Sequence, residues 1–196
     1  LTEFMQIKHF DSADYLTVIE RYPQFWNSIR PNTFIDSKKI KTVTRALARL
    51  KKRYPNHSKG NIYYTIGTLK SGGTTNNEDL LLGIEKIVGD ENTNVSEFEN
   101  EHLKNMFQFS KTSTLEQVTL HEFVHTFQKP GEINVLSKAI KEGSCDFIAE
   151  LTLNKPFHAH YLDFGFKHYD QVKSQFKAEM LSQNFGNWFY NGAVSK

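Results

Sequence analysis

The spacing of apolar residues predicts that most of this chain is helical. Apolar side chains recur every three or four positions, the period of an amphipathic helix, over residues 11–30, 36–54, 96–109 and 167–182. Asp11 or Ser12 is suited to cap the first of these helices, and Pro23 is expected to break or kink it. Ser96 followed by Glu99 has the spacing of a capping box, which predicts a helix start there.

Two stretches near the middle of the chain have the character of strands. Residues 61–69 and 80–88 are rich in β-branched, aromatic and aliphatic side chains, and a Gly/Ser/Thr/Asn loop is expected over 71–77. This order predicts a hairpin of two strands with a long loop at its tip. Helices around a small sheet predict an α+β, mainly helical fold, and the length of 196 residues predicts a single domain over 1–196.

A further helical stretch contains the pattern H-E-x-x-H, beginning at His121. His121 and His125 are four positions apart, so a helix directs both imidazoles to one side. Glu122 follows directly, and its carboxylate can reach a water molecule on a metal ion held by the two histidines. Thr112 or Ser113 is suited to cap this helix. Its predicted core-facing stripe consists of Leu120, Phe123, Val124 and Phe127.

A surface helix with two scattered histidines is the alternative, because the pattern arises by chance in about one chain in 50 of this composition. The next helix strengthens the case for a metal site, since Glu142 and Asp146 are one turn apart and are placed to support one. Gly143 is expected to let the two helices approach closely. The apolar stripe of this second helix is expected to consist of Leu136, Ile140, Gly143, Phe147 and Leu151.

Zinc is the metal that this set of residues predicts. Catalytic zinc sites use three protein ligands and keep one position open, and His121, His125 and Glu142 provide such a set. Asp146 is placed to accept the outer N–H of a ligand histidine, which would fix the tautomer of that imidazole. Cys145 is expected to be a buried packing residue, because the three ligands are already supplied.

The arrangement of H-E-x-x-H followed on the next helix by E-x-x-x-D resembles the gluzincin group of zinc metallopeptidases. The chain is most similar to predicted zinc-dependent proteases of bacteria and to the gliding-motility lipoprotein type, between residues 60 and 192. The resemblance implies hydrolysis of peptide bonds in a peptide or protein substrate, with Asp146 supporting His121. The shared motifs outside H-E-x-x-H are Ser71-Gly72-Gly73-Thr74, Glu142-Gly143 and Trp188-Phe189-Tyr190-Asn191.

The resemblance also implies a mechanism. Glu122 would act as the general base toward a zinc-activated water. In gluzincin-like folds an edge strand beside the cleft pairs with the substrate backbone; residues 82–85 are a candidate, although an ordinary sheet strand is the simpler explanation. The backbone N–H groups of Gly72 and Gly73 could hold a substrate carbonyl, although loop flexibility explains these glycines more simply. Candidates for a donor that stabilises the oxyanion are His158, His160, Tyr161 and Tyr190.

Composition narrows the class of partner. The net charge is only +2 and no apolar run approaches the roughly 18 residues of a membrane helix, so no strong attraction to nucleic acid or membrane is expected. The basic residues of the stretch 38–53 could form a surface for anionic lipid or nucleic acid, but a solvated helix face explains them more simply. The single Cys excludes an intrachain disulfide.

The chain begins at Leu1 rather than at Met, so we expect that an N-terminal segment has been removed. The family resemblance implies export to the cell envelope, either periplasmic or lipid-anchored, with possible membrane association through that segment. The alternative to an enzyme is a non-catalytic envelope protein in which zinc is a structural cross-link.

Overall fold

The computed structural model describes residues 1–57, 60–76, 79–110, 114–156 and 160–189, without the side chains of residues 57, 102, 108–110, 160 and 161. Its helices are Thr2–Lys8 (α1), Ser12–Arg21 (α2), Pro23–Ile29 (α3), Ser37–Arg53 (α4), Glu101–Ser110 (α5), Leu115–His125 (α6), Val135–Leu153 (α7), His160–Lys167 (α8) and Tyr169–Glu179 (α9). Its strands are Ile62–Thr65 (β1), Gly73–Asn76 (β2) and Asp79–Gly83 (β3). The expected α+β, mainly helical class is confirmed. Among these described helices, none is long and apolar enough to cross a bilayer.

The three strands form one mixed sheet with β3 in the middle. β1 runs parallel to β3, whereas β2 runs antiparallel to it and pairs Gly73 with Leu82. The expected hairpin of two strands around a loop at 71–77 is therefore wrong, because Gly73–Asn76 form a strand within that segment. The two threonines of β2 are β-branched and suit a pleated edge, and the short connection into β3 permits antiparallel pairing.

The central place of β3 also corrects the expected substrate-binding strand. Residues 82–85 do not form a free edge, because β3 is paired on both sides and ends at Gly83, where a 3-10 turn begins. A Cβ on Gly83 would lie 2.6 Å from the backbone oxygen of Ser71. The close neighbour of this glycine is therefore the chain's own backbone, and the sheet edge nearest α6 is β2.

The main apolar core lies between α4, α6, α7 and one face of the sheet. Leu120 and Phe123 are buried there against Leu80 and Leu82 of β3, as the helical stripe predicted. A second, aromatic cluster joins α3 to α5 and contains Phe25, Phe98 and Phe107. The first cluster fixes α6 on the sheet, so that the remaining surface of α6 is directed toward α7 and β2.

Two helix starts differ from the prediction for local reasons. The stretch 11–30 is divided, because Pro23 begins α3 after α2 has ended at Arg21. α5 begins at Glu101 rather than near Ser96. The side chain of Asn94 accepts hydrogen bonds from both the N–H and the hydroxyl of Ser96, which holds this serine in a turn instead of a helix cap. The first turn of α5 is capped by Asn100, whose side chain accepts from the Leu103 N–H.

The face of α7 that meets the core is not the predicted one. Ile140 and Phe147 are each 62% exposed, and Gly143 has no heavy atom within 4 Å of a Cβ built on it. The predicted stripe is therefore wrong, and Gly143 is not the point of close approach. A neighbouring face of α7, made of apolar and small residues, meets the core instead. Its small residues allow α7 to pack closely on α6. The buried residues of α7 are Val135, Cys145, Ala149 and Thr152.

Behind the sheet, Glu85 is a fully buried carboxyl group. Its oxygens accept hydrogen bonds from the backbone N–H groups of Gly67 at 2.9 Å and Leu69 at 3.3 Å. Burial raises the pKa of Glu85, and these two backbone hydrogen bonds oppose that rise. Because the pKa of the folded state is above the ordinary value of 4.5, the native state binds more protons than the unfolded state between these two values.

We predict that Glu85→Gln removes this pH dependence. The free energy of unfolding of the wild type should fall as pH rises from about 4.5 toward the folded-state pKa, because ionisation is then favoured in the unfolded chain. Urea denaturation across that range should show that the free energy of unfolding of the variant increases relative to that of the wild type as pH rises. Glu91→Gln, at an exposed acid, is the control. The prediction would be contradicted if the free energy of unfolding changed with pH in the same way for the wild type and Glu85→Gln.

Candidate metal centre

Two consecutive helices, α6 and α7, carry the residues predicted for the metal site and pack against each other. α6 starts with a capping box, in which Thr114 accepts from the Gln117 N–H and the Gln117 side chain accepts from the Thr114 N–H. Thr114 therefore replaces Thr112 or Ser113 as the cap, and the latter two lie outside the described residues. α7 starts after Asn134, whose side chain accepts from the Ser137 N–H. These caps fix where each helix begins.

The structure brings His121, His125 and Glu142 together. Glu142 Oε2 lies 3.3 Å from His121 Nε2 and 3.4 Å from His125 Nε2. The two imidazole rings are 5.0 Å apart between centroids and nearly perpendicular. One carboxylate oxygen of α7 is thus shared between the Nε2 atoms of both histidines on α6.

The outer nitrogen of each histidine has its own partner. Asp146 Oδ1 lies 2.7 Å from His121 Nδ1, the contact that the family resemblance implied, and Gln128 Oε1 lies 2.7 Å from His125 Nδ1. Both partners are acceptors, so each Nδ1 carries the proton. Such partners fix the orientation of a ligand imidazole and leave its Nε2 lone pair for a metal.

Gln128 was not predicted from the sequence. Its amide nitrogen donates to the backbone oxygen of Lys141 and to the hydroxyl of Ser144, both at 2.8 Å. These two acceptors on α7 orient the amide, so that its oxygen faces His125. The signal that could have identified Gln128 was its position three residues after His125, just beyond the end of α6.

Lys138 is the second unpredicted contributor. Its ammonium group lies 2.6 Å from Glu142 Oε1, the carboxylate oxygen that the histidines do not share. The two residues are one turn apart on α7, and the side chain of each is 30% exposed. The spacing i, i+4 was the signal that could have identified this pair.

The electrostatics of the cluster favour positive charge between the carboxylates. Burial lowers the pKa of His121, but hydrogen bonds to Asp146 and Glu142 outweigh it and raise the pKa to about 10. Burial raises the pKa of Glu142, whereas hydrogen bonds from both histidines and Lys138 lower it well below its usual range. A cation is therefore stabilised at the centre of this cluster, whether it is a proton or a metal ion.

Two separations among the inner atoms, those from Glu142 Oε2 to each Nε2, fit zinc. With zinc–ligand bonds of about 2.0 to 2.2 Å and tetrahedral angles, two ligand atoms are separated by about 3.3 to 3.5 Å. The two distances from Glu142 Oε2 to the histidine nitrogens, 3.3 and 3.4 Å, match that separation. Two imidazoles and one carboxylate also form a donor set that zinc accepts.

Cys145 is a competing third ligand. Its sulfur belongs to a group with His121 and His125 whose candidate ligand atoms lie within 4.8 Å of one another. However, Cys145 Sγ is closer to His125 Nδ1, at 3.3 Å, than to Nε2, at 3.7 Å, and Nδ1 is the atom that Gln128 holds. Burial and the surrounding acids raise the pKa of Cys145 to about 12, and a bound metal ion would lower it. Glu142 therefore remains the candidate third ligand because of its two distances to the Nε2 atoms, and Cys145 is the alternative.

Glu122 lies on the side of α6 that faces β2. A Cβ built on Gly73 would lie 3.0 Å from Glu122 Oε2 and 2.9 Å from Leu82 Cδ2. β2 can pass this close to the carboxylate because residue 73 has no side chain. Within the described part of the chain, the Glu122 carboxylate makes no hydrogen bond, so it is available to a water molecule or a substrate.

The predicted oxyanion donors are not placed. His158 and Tyr190 lie outside the described residues, as do the side chains of His160 and Tyr161. In the W-x-Y-N segment, Trp188 donates to Glu179 at 2.8 Å and packs against Phe176 of α9. This tryptophan therefore serves the packing of α9.

A cavity of about 840 Å³ lies elsewhere, along β1 and beside α2 and α3. Its lining is mainly apolar and includes Trp26, Phe34 and Ile40. None of the histidines or acids of the metal centre borders it. The cavity and the candidate metal centre between α6 and α7 are therefore separate places on the protein.

Comparison with protein-family models, curated proteins and solved structures gave no match for this chain. The case for the site consequently depends on its own geometry.

We predict that Cys145→Ser binds zinc as the wild type does and that Glu142→Gln binds it more weakly. The serine variant keeps Glu142 and both histidines, whereas the glutamine variant removes the charge of the third ligand and should weaken binding about tenfold or more. Zinc per chain by elemental mass spectrometry, with chelator competition for affinity, distinguishes the two variants. Loss of zinc in Cys145→Ser with retention in Glu142→Gln would assign the third position to sulfur instead.

Proposed function

We propose that this protein is a zinc-dependent peptidase of the gluzincin type, with His121, His125 and Glu142 as zinc ligands. The observation that supports this most is the shared position of Glu142 Oε2, 3.3 and 3.4 Å from the two Nε2 atoms. Asp146 and Gln128 hold the outer nitrogens, so that both imidazoles present Nε2 to the same point. Three protein ligands leave a fourth position, which is the composition of a catalytic site.

When bound, zinc would supply a Lewis acid that lowers the pKa of a coordinated water and polarises the scissile carbonyl. Glu122 is next to His121 in sequence and has no hydrogen-bond partner within the described residues. In the proposed reaction Glu122 accepts the proton of the attacking water and delivers it to the leaving amine. Asp146 keeps the proton on His121 Nδ1, which maintains Nε2 as a ligand throughout.

The free edge of β2 is the proposed contact for the substrate backbone. Gly83 donates from its N–H to Gly72 O at 2.9 Å, so the alternation of an antiparallel ladder turns the backbone groups of Gly73 and Thr75 away from β3. An extended peptide paired there would add a strand to the sheet and pass beside Glu122. We therefore propose β2, rather than residues 82–85, as the strand that pairs with the substrate, because β3 is already paired on both sides.

Export to the cell envelope and a removed N-terminal anchor remain predictions from the family resemblance. The non-catalytic alternative shares the metal ligands but gives Glu122 no task. A variant that changes only Glu122 therefore separates an enzyme from a structural zinc protein.

We predict that Glu122→Gln abolishes hydrolysis and keeps zinc. The amide cannot accept a proton from water, whereas the ligands and the apolar stripe of α6 are untouched, so activity should fall by about 10²-fold or more. Cleavage of a broad peptide library by zinc-loaded protein, followed by mass spectrometry, gives the activity, and elemental analysis gives the zinc content. A zinc-loaded wild type that cleaves nothing in the library, or a variant as active as the wild type, would overturn the proposal.

We also predict that Gly73→Ala lowers activity without removing zinc. The added methyl would lie 3.0 Å from Glu122 Oε2 and 2.9 Å from Leu82 Cδ2. Both atoms are at the ends of flexible side chains, so the fold can adjust to the methyl group while the Glu122 carboxylate is displaced. We expect kcat/KM to fall about tenfold or more, since small misplacements of catalytic groups are costly.

Gly72→Ala is the matched control for this substitution. The nearest atom to a Cβ at residue 72 is Lys86 Cβ, at 4.0 Å, which is an ordinary contact. The control should therefore keep wild-type activity. Equal activities of the two alanine variants would show that β2 does not constrain Glu122.

A further inference from the structure

We infer that Lys138 is a positioning residue that holds the third metal ligand in its binding orientation. This inference rests on the proposed metal centre and adds to it a residue outside the motif. Lys138 Nζ contacts Glu142 Oε1 at 2.6 Å, while Glu142 Oε2 faces the two histidines. The two oxygens of one carboxylate thus have separate partners.

An ordinary exposed pair at i and i+4 on a helix contributes little to stability. The Lys138–Glu142 pair differs in its surroundings. The side chains are 30% exposed, and Glu142 is also within 3.4 Å of two imidazole nitrogens. A carboxylate with a cation at one oxygen and two nitrogens at the other has little freedom to rotate.

The physical consequence concerns orientation. Without the ammonium group, the Glu142 carboxylate can rotate, and either oxygen or neither can face the histidines. Fixing it in advance lowers the entropy that metal binding must remove. Residues that orient a ligand in this way commonly change metal affinity by about 10- to 100-fold when they are replaced. Lys138 therefore acts on the metal through Glu142.

The test compares zinc dissociation constants, measured by competition with a chromophoric chelator, for the full chain and its variants. We expect Lys138→Met to weaken zinc binding about tenfold and Lys138→Arg to restore most of the affinity, because arginine keeps a cation next to Glu142 Oε1. Lys141→Met is the matched control, since the Lys141 side chain lies on the same helix but is exposed, and the substitution keeps the backbone oxygen that contacts Gln128. It should bind zinc as the wild type does.

A double-mutant comparison identifies the route of the effect. If Lys138 acts through Glu142, Lys138→Met should cause no further loss in the Glu142→Gln background. Lys138→Met indistinguishable from Lys141→Met, zinc bound more tightly than by the wild type, or an equal loss in both backgrounds would each overturn the inference. A wild type that binds no zinc would overturn the proposed function as well, so the two failures are distinguishable.

Discussion

The close packing of α7 on α6 is the physical constraint on which the candidate centre depends. A shared carboxylate oxygen 3.3 and 3.4 Å from two imidazoles requires a narrow separation between the helices. Small, fully buried residues of α7, Cys145 and Ala149, permit that separation. Ile140 and Phe147, two large apolar residues of the same helix, are exposed and do not hold the helices apart. A larger side chain at residue 149 would act on the site without touching it.

Around that contact, most polar atoms of the cluster have a separate partner. Asp146 and Gln128 accept from the outer histidine nitrogens, and Lys138 contacts the outer oxygen of Glu142. The Nε2 atoms of the two histidines are then left to face Glu142 Oε2. In a partly buried site this division matters, because an unpaired charge is costly there, and a cation at the centre relieves the repulsion among the acids.

Local spacing explains which parts of the site could be predicted from the sequence. His121, His125 and Glu122 follow from one turn of helix, and Glu142 with Asp146 from one turn of the next. Gln128 could not be predicted, because its orientation depends on how the chain turns into α7. β2 was missed because its Gly, Thr and Asn residues are typical of a loop, and its strand conformation comes from pairing with β3. The exposed face of α7 was misassigned because two of its faces carry apolar residues, and only the packing on α6 chooses between them.

The short distance along the chain between α6 and α7 has a consequence for how the protein folds. His121 and Asp146 are only 25 positions apart, and all the other groups of the cluster lie between them. Contacts of such low sequence separation form early, because little chain entropy is lost in closing them. Gly73, in contrast, must come to Glu122 from a distant part of the chain. We therefore expect that α6 and α7 pack together first, which brings the candidate ligands close, and that β2 docks afterwards.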